Sequence, residues 1–287
     1  VQMEIGWLID IASQKILNQI KNTRSFYFFM DLVVEVVIMS SSYGMQIVLQ
    51  LSQNKRVIWP LKPIHAISSF YSIYNNITEV FEPTNKNFIQ KDFGVKTLQM
   101  MKIISQHLPS ECFGMDPIKT AEILSEHNEF FYSPYTYGFS NYSRTGYRKN
   151  LLTYGNVIDL SNKGPHGTHL GGTGIAISNK SKQKELALEY SYWIAGSDCQ
   201  QTIFYSNGGQ PGNSDAWENN IINLETNNFF KNTRLTLNQA WVRPRHNGYM
   251  KFQDESGNII NEYLQSNLNE VKIIEKLKLM YAESFEE

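Results

Sequence analysis

Three segments of the 287-residue chain gather side chains that could hold a small polar molecule. Phe131 to Tyr142 (FYSPYTYGFSNY) sets Tyr132, Tyr135, Tyr137 and Tyr142 among Ser, Thr, Gly and Asn, directly after a short apolar run. Gly208-Gly209-Gln210-Pro211-Gly212 is a tightly turned loop before Trp217, and Ala240 to Tyr249 sets Arg243 and Arg245 around a proline. A sugar presents apolar C–H faces and a rim of hydroxyls. It therefore calls for aromatic platforms together with planar polar groups that hydrogen-bond in the ring plane. These segments have that chemistry, and ordinary loop packing is the competing reading.

Reaction chemistry is much harder to find. Gly171-Gly172-Thr173-Gly174 has the start of a dinucleotide loop, but Ile177 takes the third glycine position and a β-branched run follows where a helix should open. The glycines read instead as a tight crossover needing permissive backbone. There is no P-loop. Gly138-Phe139-Ser140-Asn141-Tyr142 would be a nucleophile elbow only with glycine in place of Tyr142. His166-Gly167-Thr168-His169 lacks the glutamate of a zincin helix and reads as a loop. Near the aromatic loops the acids are scarce. Asp116 looks like a helix cap and Asp215 like a loop residue, so no carboxylate pair for glycoside hydrolysis is identifiable. Neither a catalytic residue, a metal ligand nor a cofactor is expected.

Composition narrows the partners. The net charge is −1, which supplies no basic field for nucleic acid or an anionic membrane surface. Charged residues are 18 % and aromatics 13 %, so Asn, Ser, Tyr and Gln carry much of the polar surface. Cys112 and Cys199 have no metal-ligand spacing around them; one bridge between them is conceivable and otherwise unsupported. Phe26 to Met39 is the most apolar stretch, but it is short for a membrane span and contains Asp31 and Glu35. The chain opens at Val1 without a basic, apolar leader, so a fragment or processed product is expected.

Alternating helices and short strands must position these segments, an α/β pattern. A helix opens at Pro63 with Ile64, Ile67, Tyr71 and Tyr74 on one face. Val95, Leu98, Met101, Ile104 and Leu108 form a second stripe, closed by Pro109. Asp116 then Pro117 reads as an N-cap and first-turn proline for a helix carrying Ile118, Ala121 and Leu124. Strands are expected at Phe130 to Tyr132 and at Ile175 to Ile177. After the second, a helix from about Ser181 turns Leu186, Tyr190, Trp193 and Ile194 inward and ends at Gly196. Two C-terminal helices carry Ile259, Ile260, Tyr263 and Leu264, then Val271, Ile274, Leu277 and Tyr281. Residues 22–50 follow neither period.

The run LGGTGIAISNKSKQKELALEYSYWIAGSDCQQTIFYSNGGQPG, Leu170 to Gly212, resembles the family 1 extracellular solute-binding proteins of ABC transporters, the group that includes maltose-binding protein. Ile175, Ala176, Ile177 and Ser178 match its strand. Lys184, Ala187 or Leu188, Tyr190, Trp193 and Gln200 match the helix and segment that follow. Ala216-Trp217, Phe229 to Thr233 and Arg243 to Gln253 resemble a carbohydrate-importing subset, as do Tyr132 to Arg144 and Trp59 to Tyr71. The resemblance covers about residues 56–264.

The resemblance implies an α/β, periplasmic-binding-protein-like two-lobed fold of type II, closing on ligand by a hinge, with the N-terminal lobe largely missing. Residues 1–168 would belong mainly to the second lobe, 169–206 would cross into a remnant of the first, and 207–287 would return. By the same resemblance Tyr135 and Tyr137 stack a sugar ring, Arg243 to Asn247 line the cleft, and the Lys62 to His65 region adds to it. The candidate ligand-binding residues are thus Tyr135, Tyr137, Tyr142, Gly172, Gly209, Gln210, Arg243, Arg245 and His65. The implied role is a monomeric periplasmic or extracellular receptor, lipid-anchored in its full-length form, delivering a sugar or oligosaccharide to membrane permease subunits. A carbohydrate-active enzyme with aromatic subsites, or a truncated remnant of the binding protein, is the alternative.

Overall fold

The computed structural model describes residues 41–78 and 89–286. The apolar stretch Phe26 to Met39 and most of the 22–50 region lie outside the described residues. In chain order the described helices include α1 (Ser41–Gln53), α2 (Pro63–Ile77), α3 (Lys91–Ser105), α4 (Pro117–Glu126) and α5 (Lys184–Ala195). They continue with the short α6 (Ser214–Glu218) and α7 (Asn220–Glu225), then α8 (Phe229–Asn238), α9 (Tyr249–Gln265) and α10 (Glu270–Glu283).

The main core lies among α2, α3, α9 and α10. Helix α2 is buried from Ala66 to Asn76, because it is covered on all sides rather than along one stripe. Its Ile67, Phe70, Tyr71 and Tyr74 meet Leu98, Met101 and Ile104 of α3, Ile260, Tyr263 and Leu264 of α9, and Ile274, Leu277 and Tyr281 of α10. The helical stripes expected at these positions are therefore present, with Ile64, Val95, Ile259 and Val271 only partly covered at their margins. Lys102 ties α3 to the end of α9, its Nζ donating to the carbonyls of Tyr263, Leu264 and Ser266 at 3.0, 2.9 and 2.6 Å. Carbonyls at the helix end, which lack the partners of the helix interior, are satisfied in this way, that of Tyr263 together with the Ser266 N–H at 3.2 Å.

Helix α4 starts as its sequence requires. Asp116 caps it, Oδ1 accepting from the Lys119 N–H at 2.8 Å, and Pro117 occupies the first turn. Ala121 and Leu124 join a second cluster with Ile58, Cys112 and Tyr142, whereas Ile118 is 53 % exposed. Asp116→Ala is expected to lower unfolding stability by about 1 kcal/mol, the usual worth of a cap; urea titration of the variant against the native protein measures it. Cys112 and Cys199 are both free and buried, so the conceivable bridge is absent, and burial pushes the Cys112 thiol up to about 11.

Two expectations are corrected. Extended pairing among the described residues is confined to two isolated parallel bridges, Val57 with Tyr132 and His169 with Trp241. The Phe130 to Tyr132 strand is thus reduced to one bridge, held by the Phe131 N–H to the Arg56 carbonyl at 2.8 Å and the Ile58 N–H to the Tyr132 carbonyl at 3.1 Å. Ile175 to Ile177 forms no strand at all: nothing described pairs with it, and Ile175 is 55 % exposed. The α/β class survives only as helices alternating with short extended segments. The second correction concerns α5. Its cap at Gly196 is as expected, but no residue of the helix is buried, and Leu186, Tyr190 and Trp193 are 63, 55 and 49 % exposed. Its apolar residues identify a face, but no described segment covers that face.

Candidate functional site

Helix α2 carries polar residues as well as apolar ones on its buried surface. His65, Ser68, Ser69 and Ser72 fall at helical spacings of three, four and seven residues, and all four line a cavity of about 240 Å³. This is small beside the roughly 300–1,000 Å³ usual for ligand pockets. The loop Tyr135 to Gly138 and the segment Thr168 to Gly171 form further walls; Tyr154, Trp217 and Phe229 add rings, and Thr233 and Thr236 of α8 add hydroxyls.

The wall at 168–171 is fixed by α2. The Asn75 side chain donates to the Gly167 carbonyl at 3.1 Å, and that of Asn76 to the His166 carbonyl at 2.9 Å. Asn76 Oδ1 also accepts from the Leu160 N–H at 2.5 Å. Gly167 has φ +79°, and a Cβ there would run into Asn75, so glycine is required both for the turn and for the close approach. The strand-like bridge then continues the placement, Trp241 N–H donating to the Thr168 carbonyl at 2.7 Å and Leu170 N–H to the Trp241 carbonyl at 2.9 Å. His169 is thereby buried beside α2. Its N–H donates to Ser72 Oγ at 3.2 Å and its Nδ1 lies 2.9 Å from Ser68 Oγ.

Tyr137 stands at the junction of these walls. Its ring is 6.2 Å from His65, edge-on, and 6.4 Å from His169. It lies so close to Gly171 that a Cβ there would be 2.6 Å from Cε1 of the ring. The first glycine of the Gly171 to Gly174 run thus serves the aromatic wall of the cavity, not a phosphate. Burial raises the Tyr137 hydroxyl pKa, opposed by the adjacent Ser68 hydroxyl and the Arg243 charge. Burial also lowers His65 and, helped by Arg243, brings His169 down to about 4, so His169 is neutral at pH 7.

The structure divides the sequence-predicted residues. His65, Tyr135, Tyr137 and Gln210 meet around the cavity. Tyr135 is only 6 % exposed and packs on Trp59 at 5.9 Å in the main core, so Tyr137 is the more available platform. Gln210 staples two loops, its Oε1 accepting from the Ser140 N–H at 2.7 Å and its Nε2 donating to the Gly138 carbonyl at 3.3 Å. Arg144 reinforces that joint, its two terminal nitrogens donating to the Tyr205 and Gly209 carbonyls at 3.0 and 3.1 Å. Arg243 is not in the cavity lining but is near enough to influence His169 and Tyr137; its Nη1 donates to Gln253 Oε1 at 2.9 Å.

The remaining candidates lie elsewhere. Tyr142 is buried in the second cluster and donates to Glu122 at 2.6 Å. Arg148 forms an ion pair with that same carboxylate at 2.6 Å, and the two hydrogen bonds, Arg148 first, hold Glu122 down to about 2. Gly172 and Arg245 are exposed, and Gly209 packs against the Phe204 ring. Sequence reasoning missed Ser68, Ser72, His169 and Trp217. The first two and His65 share a helical spacing that was available as a polar stripe. His169 had no such signal, because its environment comes from α2, a hundred residues away.

Chemically, the lining offers rings, hydroxyls and imidazoles, and no Asp or Glu belongs to it. Acid–base cleavage of a glycoside needs a pair of carboxylates flanking the bond, and this wall does not supply them. Among the described residues no group of His, Cys, Asp and Glu is arranged to hold a metal ion.

No protein-family model and no curated protein matches the sequence. Solved structures do match the fold. Maltose-bound MalE3 of T. maritima superimposes with a TM-score of 0.61 at 14 % identity over 83 % of this chain and 63 % of its own. A protein from Synechococcus sp. MITs9220, described as an oligosaccharide periplasmic-binding protein, gives 0.56 at 12 % identity over 80 % and 61 %. The chain thus spans less than two thirds of the length of either neighbour. The chain shares its fold with these two structures, one with maltose bound and one described as an oligosaccharide periplasmic-binding protein, over about three fifths of their length.

Proposed function

We propose that the chain is the solute-binding component of an ABC importer and that the cavity under α2 is one wall of its sugar site. The observation that carries this reading is the lining itself: aromatic rings beside neutral hydroxyl and imidazole groups, with no carboxylate. Such a wall suits a sugar's mixture of apolar faces and hydroxyls, and the maltose bound to MalE3 adds support. Tyr137 is the stacking platform, His65 and Tyr135 border the ligand, and Arg243 holds the electrostatics of the wall. Gln210 keeps two loops in place around it.

The same reading takes the chain as part of a two-lobed type II protein, mainly its second lobe, with residues 169–206 crossing toward the first. Leu186, Tyr190 and Trp193 of α5 support this, since among the described residues they form an exposed apolar face of the kind an inter-lobe contact covers. The receptor acts outside the cytoplasm as a monomer, lipid-anchored in full-length form, and hands its sugar to permease subunits. Among the described residues no helix is long and apolar enough to cross a membrane.

Incubation with maltose, cellobiose and sucrose tests the role. The expected outcome is a rise in melting temperature with at least one sugar and unchanged sugar by chromatography. Release of monosaccharides would replace the receptor by an enzyme.

A further inference from the structure

The hydrogen-bond geometry around His169 decides where its proton sits. Ser68 is one helical turn beyond Ile64 and donates its single hydroxyl proton to the Ile64 carbonyl at 2.7 Å. Its Oγ can then only accept from His169 Nδ1, 2.9 Å away, so the neutral imidazole is protonated on Nδ1. Nε2 is left as a bare lone pair, and it is buried without a hydrogen-bond partner. His169 is 8 % exposed and belongs to the cavity lining. Two further residues of the same lining also carry buried polar atoms without partners, His65 Nδ1 and the Tyr135 hydroxyl. Buried polar groups are as a rule hydrogen-bonded, so unpaired imidazole nitrogens beside one cavity point to a polar occupant.

We propose that His169 is a specificity-determining residue whose Nε2 accepts a hydrogen bond from one hydroxyl of a neutral sugar, with the tautomer set by Ser68. The inference rests on the sugar-binding reading above and adds the direction of the hydrogen bond. An acceptor at this point selects a hydroxyl donor and rejects a carbonyl or carboxylate oxygen. A ligand lacking that one hydroxyl leaves Nε2 unpaired, and a site built to hydrogen-bond a hydroxyl discriminates strongly against the analogue without it.

The test uses whichever of maltose, cellobiose and sucrose binds most tightly, together with its monodeoxy analogues, titrated into the native protein and into His169→Phe and His169→Gln. One deoxy analogue is expected to bind the native protein at least tenfold more weakly than the parent sugar. His169→Phe should bind parent and analogue within twofold of each other, and His169→Gln, which retains an acceptor oxygen, should restore part of the preference. Equal discrimination by native protein and His169→Phe overturns the proposal while leaving sugar binding in place. Absence of binding by all three sugars overturns the sugar-binding reading itself. Should His169→Phe fail to fold, ¹⁵N NMR of the native protein decides: a protonated Nδ1, and an unprotonated Nε2 that shifts on adding sugar, is expected. A protonated Nε2, or one indifferent to sugar, overturns the assignment.

Discussion

Acidification from pH 7 to pH 4 is expected to cost the fold about 3 kcal/mol through His169 alone. Burial, reinforced by the Arg243 charge, places its pKa at about 4, against about 6.5 for an unperturbed histidine. The stabilisation from keeping this ring neutral is complete above pH 6.5. Below that the unfolded chain takes up a proton that the folded protein refuses, and stability falls until the folded ring also titrates near pH 4. A gap of about 2.5 units at about 1.36 kcal/mol per unit gives the size. His65 acts in the same direction, through burial partly offset by Asp116. Glu122 acts lower: with its folded pKa held to about 2, its contribution is present above about pH 4.5 and disappears between there and pH 2. Urea unfolding at pH 7, 5.5 and 4 measures the first window. The native protein should lose about 3 kcal/mol more than His169→Phe across it; equal losses would show that His169 is not a buried neutral base.

Replacing Tyr137 by alanine should weaken sugar binding about tenfold, with a cooperative unfolding transition retained. The ring is half-buried, so part of its face remains available, and it sits between His65 and His169 at the cavity edge. Fully burying one apolar side chain is worth about 1.5–3 kcal/mol, of which a sugar on the exposed part of this ring gains a share, and about 1.4 kcal/mol is a factor of ten in affinity. Tyr137→Phe keeps the platform and loses only the hydroxyl, so its effect should be smaller. Tyr135→Ala should behave differently. That ring packs with Trp59 in the main core, so its removal is expected to lower the melting temperature as well as the affinity. Calorimetric titration beside thermal melts separates the two outcomes. Unchanged affinity in Tyr137→Ala would remove this ring from the site.

Much of the scaffold could be read from the chain because local rules and tertiary structure agree there. Pro63, Asp116 with Pro117, and the stripes from Val95 to Leu108 and from Val271 to Tyr281 all mark helices that form with most of their apolar residues covered, although Leu108 lies past the end of its helix at Ser105. The same reasoning failed on α5 and on Ile175 to Ile177. Periodicity names the face that wants a partner, but it cannot supply one, and burial and pairing depend on a neighbour that the described residues do not contain. At the site, aromatic and glycine-rich segments pointed to Tyr137 and to the loop of Gln210. His169 was passed over as part of a glycine-rich loop. Its role depends on Ser68, Ser72 and the Asn75–Gly167 contact, all of which join residues about a hundred positions apart. Tyr142 erred in the other direction: it looked like a loop tyrosine, but Glu122 and Arg148 commit it to the interior of the second cluster.

The central claim is that the cavity under α2 receives a neutral sugar, and Trp217 in its lining gives a direct signal. Titration of the folded protein with maltose, cellobiose and sucrose, followed by tryptophan fluorescence and repeated on Trp217→Phe, is the measurement. The account predicts a saturable change with at least one sugar in the native protein and a much smaller change in the variant. A response that stays flat or merely linear with every sugar, in a protein that still unfolds cooperatively, would contradict it.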